Sequence, residues 1–405
     1  MAKIVIALAM SFAVSSALMM HGGTVHDVYF ATCTGNANSE GIYHSTLDLG
    51  AGSLSEPELV AKTPAPSFLA MHPNGKSLYA VSEAADGTVR AFAIDTTTKK
   101  LTLLNERPSG GSGPCHVGVD GEGQCLAVAN YGGGSMEVLP INNDGSLGVV
   151  SAVVRHKGSS VNPQRQGEPH AHGVNFSPDG RFVFVTDLGL DKIMIYQLVR
   201  KDGAFLPMAY GYVKLKPGSG PRHFVFHPSG EFAYVINELD GTVAAYVYDA
   251  LTGAMTSIQR ISTLPGDFKG TSWGAEVRTH PNGKFLYASN RGHDSIAIYR
   301  IAAGTGVLAL AGFQNSGGAC PRDFDLDPSG RFCVVANQNS DNVCVFRVDA
   351  NSGALELVGK PITLGRPVCV CFPRGHQGHL RLEARRVVPS LYNHTHSSFL
   401  RQYTP

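Results

Sequence analysis

Charge is scarce in this chain and has no preferred sign: 16% of the 405 residues are charged, with 33 Lys and Arg against 32 Asp and Glu. Such a balance excludes the broad basic field by which a nucleic-acid-binding domain gathers phosphates, while leaving room for a local basic site for a small anion. Sustained helical periodicity is absent, which argues against helix bundles and against parallel sheets crossed by helices. None of the eight cysteines, Cys33, Cys115, Cys125, Cys320, Cys333, Cys344, Cys369 and Cys371, forms a Cys-x-x-Cys pair. Most stand inside apolar strand runs, where a free thiol behaves as a small buried hydrophobe; a disulfide framework belongs to much smaller secreted domains. Free thiols favour a reducing, cytoplasmic compartment. Long apolar runs are missing too, apart from residues 4–20. That run is short for a bilayer span and carries several serines, so no membrane association is expected. With Lys3 ahead of it and small residues near Ser16 and Ala17, it resembles a secretory signal, which would export the protein; a translation start at Met19 or Met20 is the alternative.

What is abundant is glycine, 47 residues of it, and a repeat of about 50 residues places much of it. The clearest copy runs Gly220-Pro221-Arg222-His223-Phe224-Val225-Phe226-His227-Pro228-Ser229-Gly230 and continues to Asn237-Glu238. It reads as a short apolar strand, a Pro-x-Gly turn and a second strand. Related turns stand at Pro73-Asn74-Gly75, Gly121-Glu122-Gly123, Pro178-Asp179-Gly180, Pro281-Asn282-Gly283 and Pro328-Ser329-Gly330. A third strand, Thr242 to Asp249, and a fourth near Ser257 to Leu264 follow in the same copy, with alternation between turn residues that marks antiparallel hairpins. Repeats of this length with several short strands each mean radial β-architecture.

Third strands number seven, around Ile42, Val89, Met136, Ile193, Val243, Ile296 and Val343. First strands also number seven but are displaced, beginning at Ser67, Cys115, His172, Arg222, Ala275, Arg322 and Val368. The chain therefore opens on a second strand, Val28 to Thr32, and closes on a lone first strand, Val368 to Phe372. Pairing those two completes a seventh blade and removes the exposed edges of an open array. The expected fold is all-β, a seven-bladed propeller over residues 23–375 closed by its N- and C-terminal strands. Residues 1–22 form a signal-like or non-core extension. Residues 376–405 lack a strand pattern and read as a disordered tail, its Asn393-His394-Thr395 glycosylation pattern and its histidines incidental.

Within the repeat, two columns are polar. The position six before the turn proline reads Ser67, Cys115, His172, Arg222, Ala275, Arg322, and the next reads Phe68, His116, Gly173, His223, Glu276, Asp323. The position ten after reads Glu83, Tyr131, Leu188, Glu238, Arg291, Gln338, preceded by Ser82, Asn130, Asp187, Asn237, Asn290 and Asn337. A hairpin brings these columns together at its open end, so they converge as rings at one mouth of the central channel. The asparagines recur in nearly every blade and suit strand-end capping. His72, His227 and His280 precede turns and read as hairpin residues, and Asp323-Phe324-Asp325 as a repeat feature. Arg222, Arg291 and Arg322 break the pattern of small residues; facing one another, they demand an anion or the carboxylates of Glu83, Glu238 and Glu276. His170 and His172 share a strand face and could hold a metal, but no third ligand matches and the arginines disfavour a cation. No metal or other cofactor is expected.

These segments resemble the seven-bladed propeller lactonases, a family that includes bacterial-type 6-phosphogluconolactonase and carboxy-cis,cis-muconate cyclase. The similarity covers roughly residues 25–373 and is carried by Gly220-Pro221-Arg222-His223, Phe226-His227-Pro228, Tyr234-x-x-Asn237-Glu238, Trp273-Gly274-Ala275-Glu276, Asn290-Arg291 and Pro321-Arg322. It departs after Cys371-Phe372, where Pro373-Arg374-Gly375 replaces the expected turn. The resemblance implies catalytic roles for His172, Arg222, Glu238 and Arg291, with His223, Arg322, Glu276 and Asn237 as substrate-binding neighbours. It implies metal-independent chemistry on a small anionic lactone such as 6-phospho-D-glucono-1,5-lactone, with Glu238 or His172 as base and Arg222 and Arg291 on phosphate or oxyanion. A lactone-forming muconate cyclase and a non-catalytic binding platform are the alternatives, the second disfavoured because the distinctive residues gather in the channel rather than on blade rims.

Overall fold

The turn glycines explain the hairpins. Gly75, Gly123, Gly180, Gly230, Gly283 and Gly330 all take φ between +69° and +73°, a left-handed conformation that costs other residues a steric clash. The computed structural model describes residues 25–35, 38–83 and 87–373. The signal-like segment and the C-terminal tail lie outside the described residues.

Each hairpin grows into a four-stranded antiparallel sheet, and the sheets form a seven-bladed β-propeller. The inner strands are Pro66–Met71, Pro114–Val119, Ala171–Phe176, Pro221–Phe226, Trp273–Thr279, Pro321–Leu326 and Pro367–Cys371. We number the blades one to seven in that order. In blade seven the inner strand Pro367–Cys371 pairs with Val25–Thr32, Tyr29 opposite Cys371 and Phe30 opposite Val370. The ring thus closes with the two ends of the fold in one sheet. The outer strand of that blade is split into Ser53–Leu54 and Glu58–Lys62, a detail with no trace in the repeat.

Second strands are buried on both faces, as in Phe182–Asp187 and Phe232–Asn237, because a neighbouring blade covers each side. They read as continuous apolar runs for that reason. Outer strands such as Met255–Ser262 are largely open to solvent. Two side-chain columns fasten blade to blade. His72, His227 and His280 reach across from their own turns to the backbone carbonyls of Gly123, Gly283 and Gly330 in the next blade, at 3.0, 2.8 and 2.8 Å. Buried Tyr79, Tyr234 and Tyr287 donate their hydroxyls to Gly145, Gly306 and Gly353 at 2.9–3.0 Å. These histidines therefore join turns of adjacent blades and also hold their own hairpins, where their Nδ1 atoms accept from the amides of Asn74, Ser229 and Asn282 at 3.1 Å. No helix among the described residues is long and apolar enough to cross a membrane.

One irregularity recurs in all seven blades. Pro221 pairs with Asn237 and His223 with Ile236, so Arg222 is an extra residue in its strand. Ser67, Cys115, His172, Arg322 and Val368 are skipped in the same way, and blade five is irregular between Gly274 and Val277. A β-bulge bends the strand and re-aims the extra side chain. Here it turns the end of every inner strand toward the channel mouth.

Candidate functional site

The entry to each inner strand positions the rest of the site. The residue before the strand has positive φ in five blades, Ala65, Gly113, Gly220, Cys320 and Arg366, and its carbonyl accepts from the backbone of the exit residue of the second strand. In blade four the Glu238 amide donates to Gly220 at 2.7 Å. A Cβ on Gly220 would stand 2.5 Å from Leu239, so glycine is required there. The bulge and this bond together place Arg222 and Glu238 side by side.

Glu238 is the hub. Arg291 Nη2 donates to its Oε2 at 2.9 Å, Arg222 Nε lies 3.3 Å from the same oxygen, and Arg165 Nη2 donates to Oε1 at 2.6 Å. The Arg222 contact is an ion pair without hydrogen-bond geometry, which leaves that buried Nε unsatisfied. Burial alone would raise the proton affinity of Glu238, but the charges of Arg291 and Arg222, with the hydrogen bond from Arg165, outweigh it and hold the carboxyl far below its ordinary range. Arg222 is 3% exposed; burial, then the charges of Arg291 and Arg322, lower its pKa to about 10. Its Nη1 donates to the Ala275 carbonyl at 2.7 Å and lies across the His223 ring, 3.2 and 3.3 Å from the two nitrogens.

His172 projects from the bulge of blade three, its ring centroid 5.2 Å from that of His223, with Nδ1 3.8 Å from Cys115 Sγ. Burial, then Arg222, push its pKa well below 6.5, so the imidazole is neutral and holds a proton less readily than a free one. His170 does not join it as a ligand pair: it stacks on Tyr131 at 4.3 Å and bonds the Tyr131 carbonyl at 2.9 Å. Arg322 is half-buried and makes no hydrogen bond or ion pair with the described residues. It borders a cavity of about 100 Å³ shared with Ser67, Glu83, Gln338 and Val368. A larger cavity of about 210 Å³ lies at the edge of blades six and seven, lined by Asn38, Tyr43, Glu56 and Asp341. It has no basic side chain and none of the groups above, so size does not mark the site here.

Below the mouth the charge pattern inverts. Arg278 is ringed by carboxylates, 3.2 Å from Glu276, 3.5 Å from Asp325 and 3.8 Å from Asp323. Burial opposes its charge, yet Glu276, Asp325 and Asp323 together raise its pKa. Glu276 also accepts from His223 Nδ1 at 2.5 Å, which fixes the tautomer of that ring. Between the two charge layers lie His116, His172, His223 and Phe68, in mutual ring contact across the channel. His116 is neutral, lowered to about 3 by burial and then by Arg278 and Arg222.

Of the residues singled out from the sequence, His172, Arg222, Glu238 and Arg291 meet at one mouth with Arg322 beside them. His223 and Glu276 lie beneath. Asn237, expected among the substrate-binding residues, is fully buried and donates to Thr242 at 2.9 Å, a strand-end capping contact. Asp325 and Asp323 stand within ion-pair distance of Arg278, while burial, then Glu276, push the pKa of Asp323 well above the ordinary carboxyl value. Two arginines escaped the columns. Arg278 left a signal, the alternation Glu276-x-Arg278 beside Asp323-x-Asp325 on neighbouring strands. Arg165 left none, since it comes from a loop that does not repeat. Among the described residues no group of three His, Cys, Asp or Glu is arranged to hold a metal ion.

Residues 27–372 match the model of the seven-bladed β-propeller lactonases. The chain is 39% identical over 300 residues to the 6-phosphogluconolactonase of Bacillus subtilis, covering 74% of this chain and 84% of that one. It is 39% identical over 269 residues to the 6-phosphogluconolactonase of Formosa agariphila, covering 64% and 75%. Its structure is similar to the periplasmic gluconolactonase of Pseudomonas aeruginosa, with a TM-score of 0.82, 32% identity, and coverage of 86% of this chain and 99% of that one. With a family match over nearly all the described strands and these relatives beside it, the chain belongs to the seven-bladed β-propeller lactonase family.

Proposed function

We propose that this protein hydrolyses a small anionic sugar lactone, 6-phospho-D-glucono-1,5-lactone, to 6-phosphogluconate. The observation that carries the reading is the composition of the mouth: four guanidiniums, Arg165, Arg222, Arg291 and Arg322, against one buried carboxylate, Glu238, and a neutral imidazole. Even with Glu83 on the rim, cations are in excess. A phosphate dianion supplies the missing charge, and the names of the curated relatives point to the same substrate.

In this reading water attacks the ring carbonyl, His172 takes its proton, and Arg222 and Arg291 stabilise the oxyanion. The ring C–O bond then breaks and His172 returns the proton to the departing ring oxygen. Glu238 is a poor base because three cations hold it ionised; its role is to fix Arg222 and Arg291. Arg322, which has no ion pair among the described residues, is one of the cations that receive the phosphate. Binding that dianion also neutralises Arg222 and Arg322 as seen by His172, raising its basicity when substrate is present. The carboxylate-ringed Arg278 below repels an anion and sets the depth of binding. The cysteine environment supports a cytoplasmic location, and the periplasmic relative keeps export as the competing arrangement.

The test is acid release from freshly made 6-phosphogluconolactone, measured against spontaneous hydrolysis, with a carboxymuconate assay alongside. No acceleration of the lactone reaction would overturn the proposal, and turnover of the muconate alone would replace it with the cyclase.

A further inference from the structure

Arg165 differs from the other mouth arginines in origin. It sits in the connection between blades two and three, in a turn where the Asn162 carbonyl accepts from Arg165 and Gln166 at 3.2 and 2.6 Å. Gln166 is fully buried and donates to the Leu188 carbonyl at 2.9 Å. Ser160 ties the segment to Asp191 at 2.6 Å. The backbone is thus held, while the side chain, 31% exposed, spans the mouth. Its Nη2 donates to Glu238 Oε1 at 2.6 Å and to the Tyr131 hydroxyl at 3.3 Å, and its guanidinium lies 5.4 Å from the centre of the Trp273 ring.

Resting on the lactonase reading, we infer that Arg165 is the ligand-sensing cation of the mouth, exchanging Glu238 for the phosphate of a bound sugar acid. Three features favour the exchange. Glu238 keeps Arg222 and Arg291 when Arg165 leaves, since both engage Oε2 and Arg165 engages Oε1. A sugar hydroxyl can donate to the vacated Oε1, so one ligand satisfies both partners of the broken pair. The side chain is the most exposed of those on Glu238 and costs least to move. A ligand with hydroxyls but no phosphate offers Oε1 a donor and leaves Arg165 without a reason to move. Arg165 is thereby a specificity-determining residue for phosphorylated over plain sugar lactones.

The single tryptophan of the chain makes the exchange observable. Trp273 emission is followed while 6-phosphogluconate or gluconate is added to the wild-type protein and to Arg165→Leu and Arg165→Lys, with binding measured independently by calorimetry. A saturable emission change with 6-phosphogluconate, absent with gluconate and lost in Arg165→Leu, is the expected result. Removing a charge-assisted contact should weaken 6-phosphogluconate binding roughly ten- to a hundredfold, with Arg165→Lys recovering part of it. Calorimetric binding with unchanged emission, or an equal loss of affinity for both ligands in Arg165→Leu, would overturn the inference. Because these readouts need no turnover, a protein that binds and responds but hydrolyses no lactone refutes the enzymatic reading alone. A protein that hydrolyses the lactone but shows no response refutes the role of Arg165 alone.

Discussion

Replacing Glu238 by Gln keeps the volume of the side chain and removes the one negative charge among the described residues within ion-pair reach of Arg165, Arg222 and Arg291. Arg222 and Arg291 are 3% and 14% exposed, so the change leaves two nearly buried cations facing each other with no carboxylate between them. Breaking a buried pair in this way costs roughly 3–5 kcal/mol, and the more exposed Arg165 adds little. For a large domain, at the low end of the usual shift per kcal/mol, Tm should fall by roughly 5–10 °C. The sign with pH follows from the depressed proton affinity. The stabilisation is complete above the ordinary value of 4.5 and is lost as pH falls through the lower folded-state value, so wild type and variant should converge in acid. Added 6-phosphogluconate should restore more Tm to the variant than to the wild type, because it brings an anion to the site that lost one. Differential scanning fluorimetry between about pH 3 and about pH 8 reads all three effects. A variant as stable as wild type near neutrality, or a Tm gap that does not narrow in acid, would refute the hub role of Glu238.

His172→Asn should lower kcat roughly 10²–10⁴-fold with little change in Tm, and the lowered proton affinity of His172 should place the acid limb of wild-type kcat/KM below pH 6.5. A limb well above that value would point to another base. Arg322→Leu should raise KM for 6-phosphogluconolactone roughly tenfold or more and leave glucono-1,5-lactone nearly unaffected, checked by steady-state kinetics on both. His227→Ala removes the bond to the Gly283 carbonyl at the far end of the hairpin and should cost about 1 kcal/mol without altering KM, read from thermal melts beside activity.

The blade count was legible because its signal is steric. A turn that needs φ near +70° requires glycine six times at regular spacing, and the displaced strand counts at the two ends leave closure as the consistent topology. The mouth was legible as far as strands carry it, since Arg222 and Arg291 stand in strand-end columns that the repeat aligns with Ser67, Cys115 and Ala275 and with Glu83, Glu238 and Gln338. The bulge was not. It leaves no residue signature of its own: Ser67, Cys115, His172, Arg322 and Val368 share its position and almost no chemistry. What they share is backbone, a carbonyl from the preceding turn tied to the exit of the next strand, and single-residue reading does not see it. Arg165 was missed for the opposite reason. Its neighbours Asn162, Pro163 and Gly167 spell an ordinary loop, and only folding brings that loop over Glu238 and Trp273.

The proposed binding of an anion at a fixed depth rests on the two charge layers of the channel. At the mouth one carboxylate serves three arginines; below it Glu276, Asp325 and Asp323 surround one arginine, with burial and Glu276 raising the proton affinity of Asp323 well above the ordinary carboxyl range. Each layer alone would be a costly burial of like charges. Set one above the other, each offsets part of the excess of its neighbour, and the residual field points along the channel axis. The histidine layer between them feels both and stays neutral, because burial and the nearby arginines outweigh the carboxylates below. A negatively charged ligand entering this field is attracted by the mouth and repelled by the floor. In the proposed reaction it stops beside the neutral imidazole of His172, which would take the proton of the attacking water.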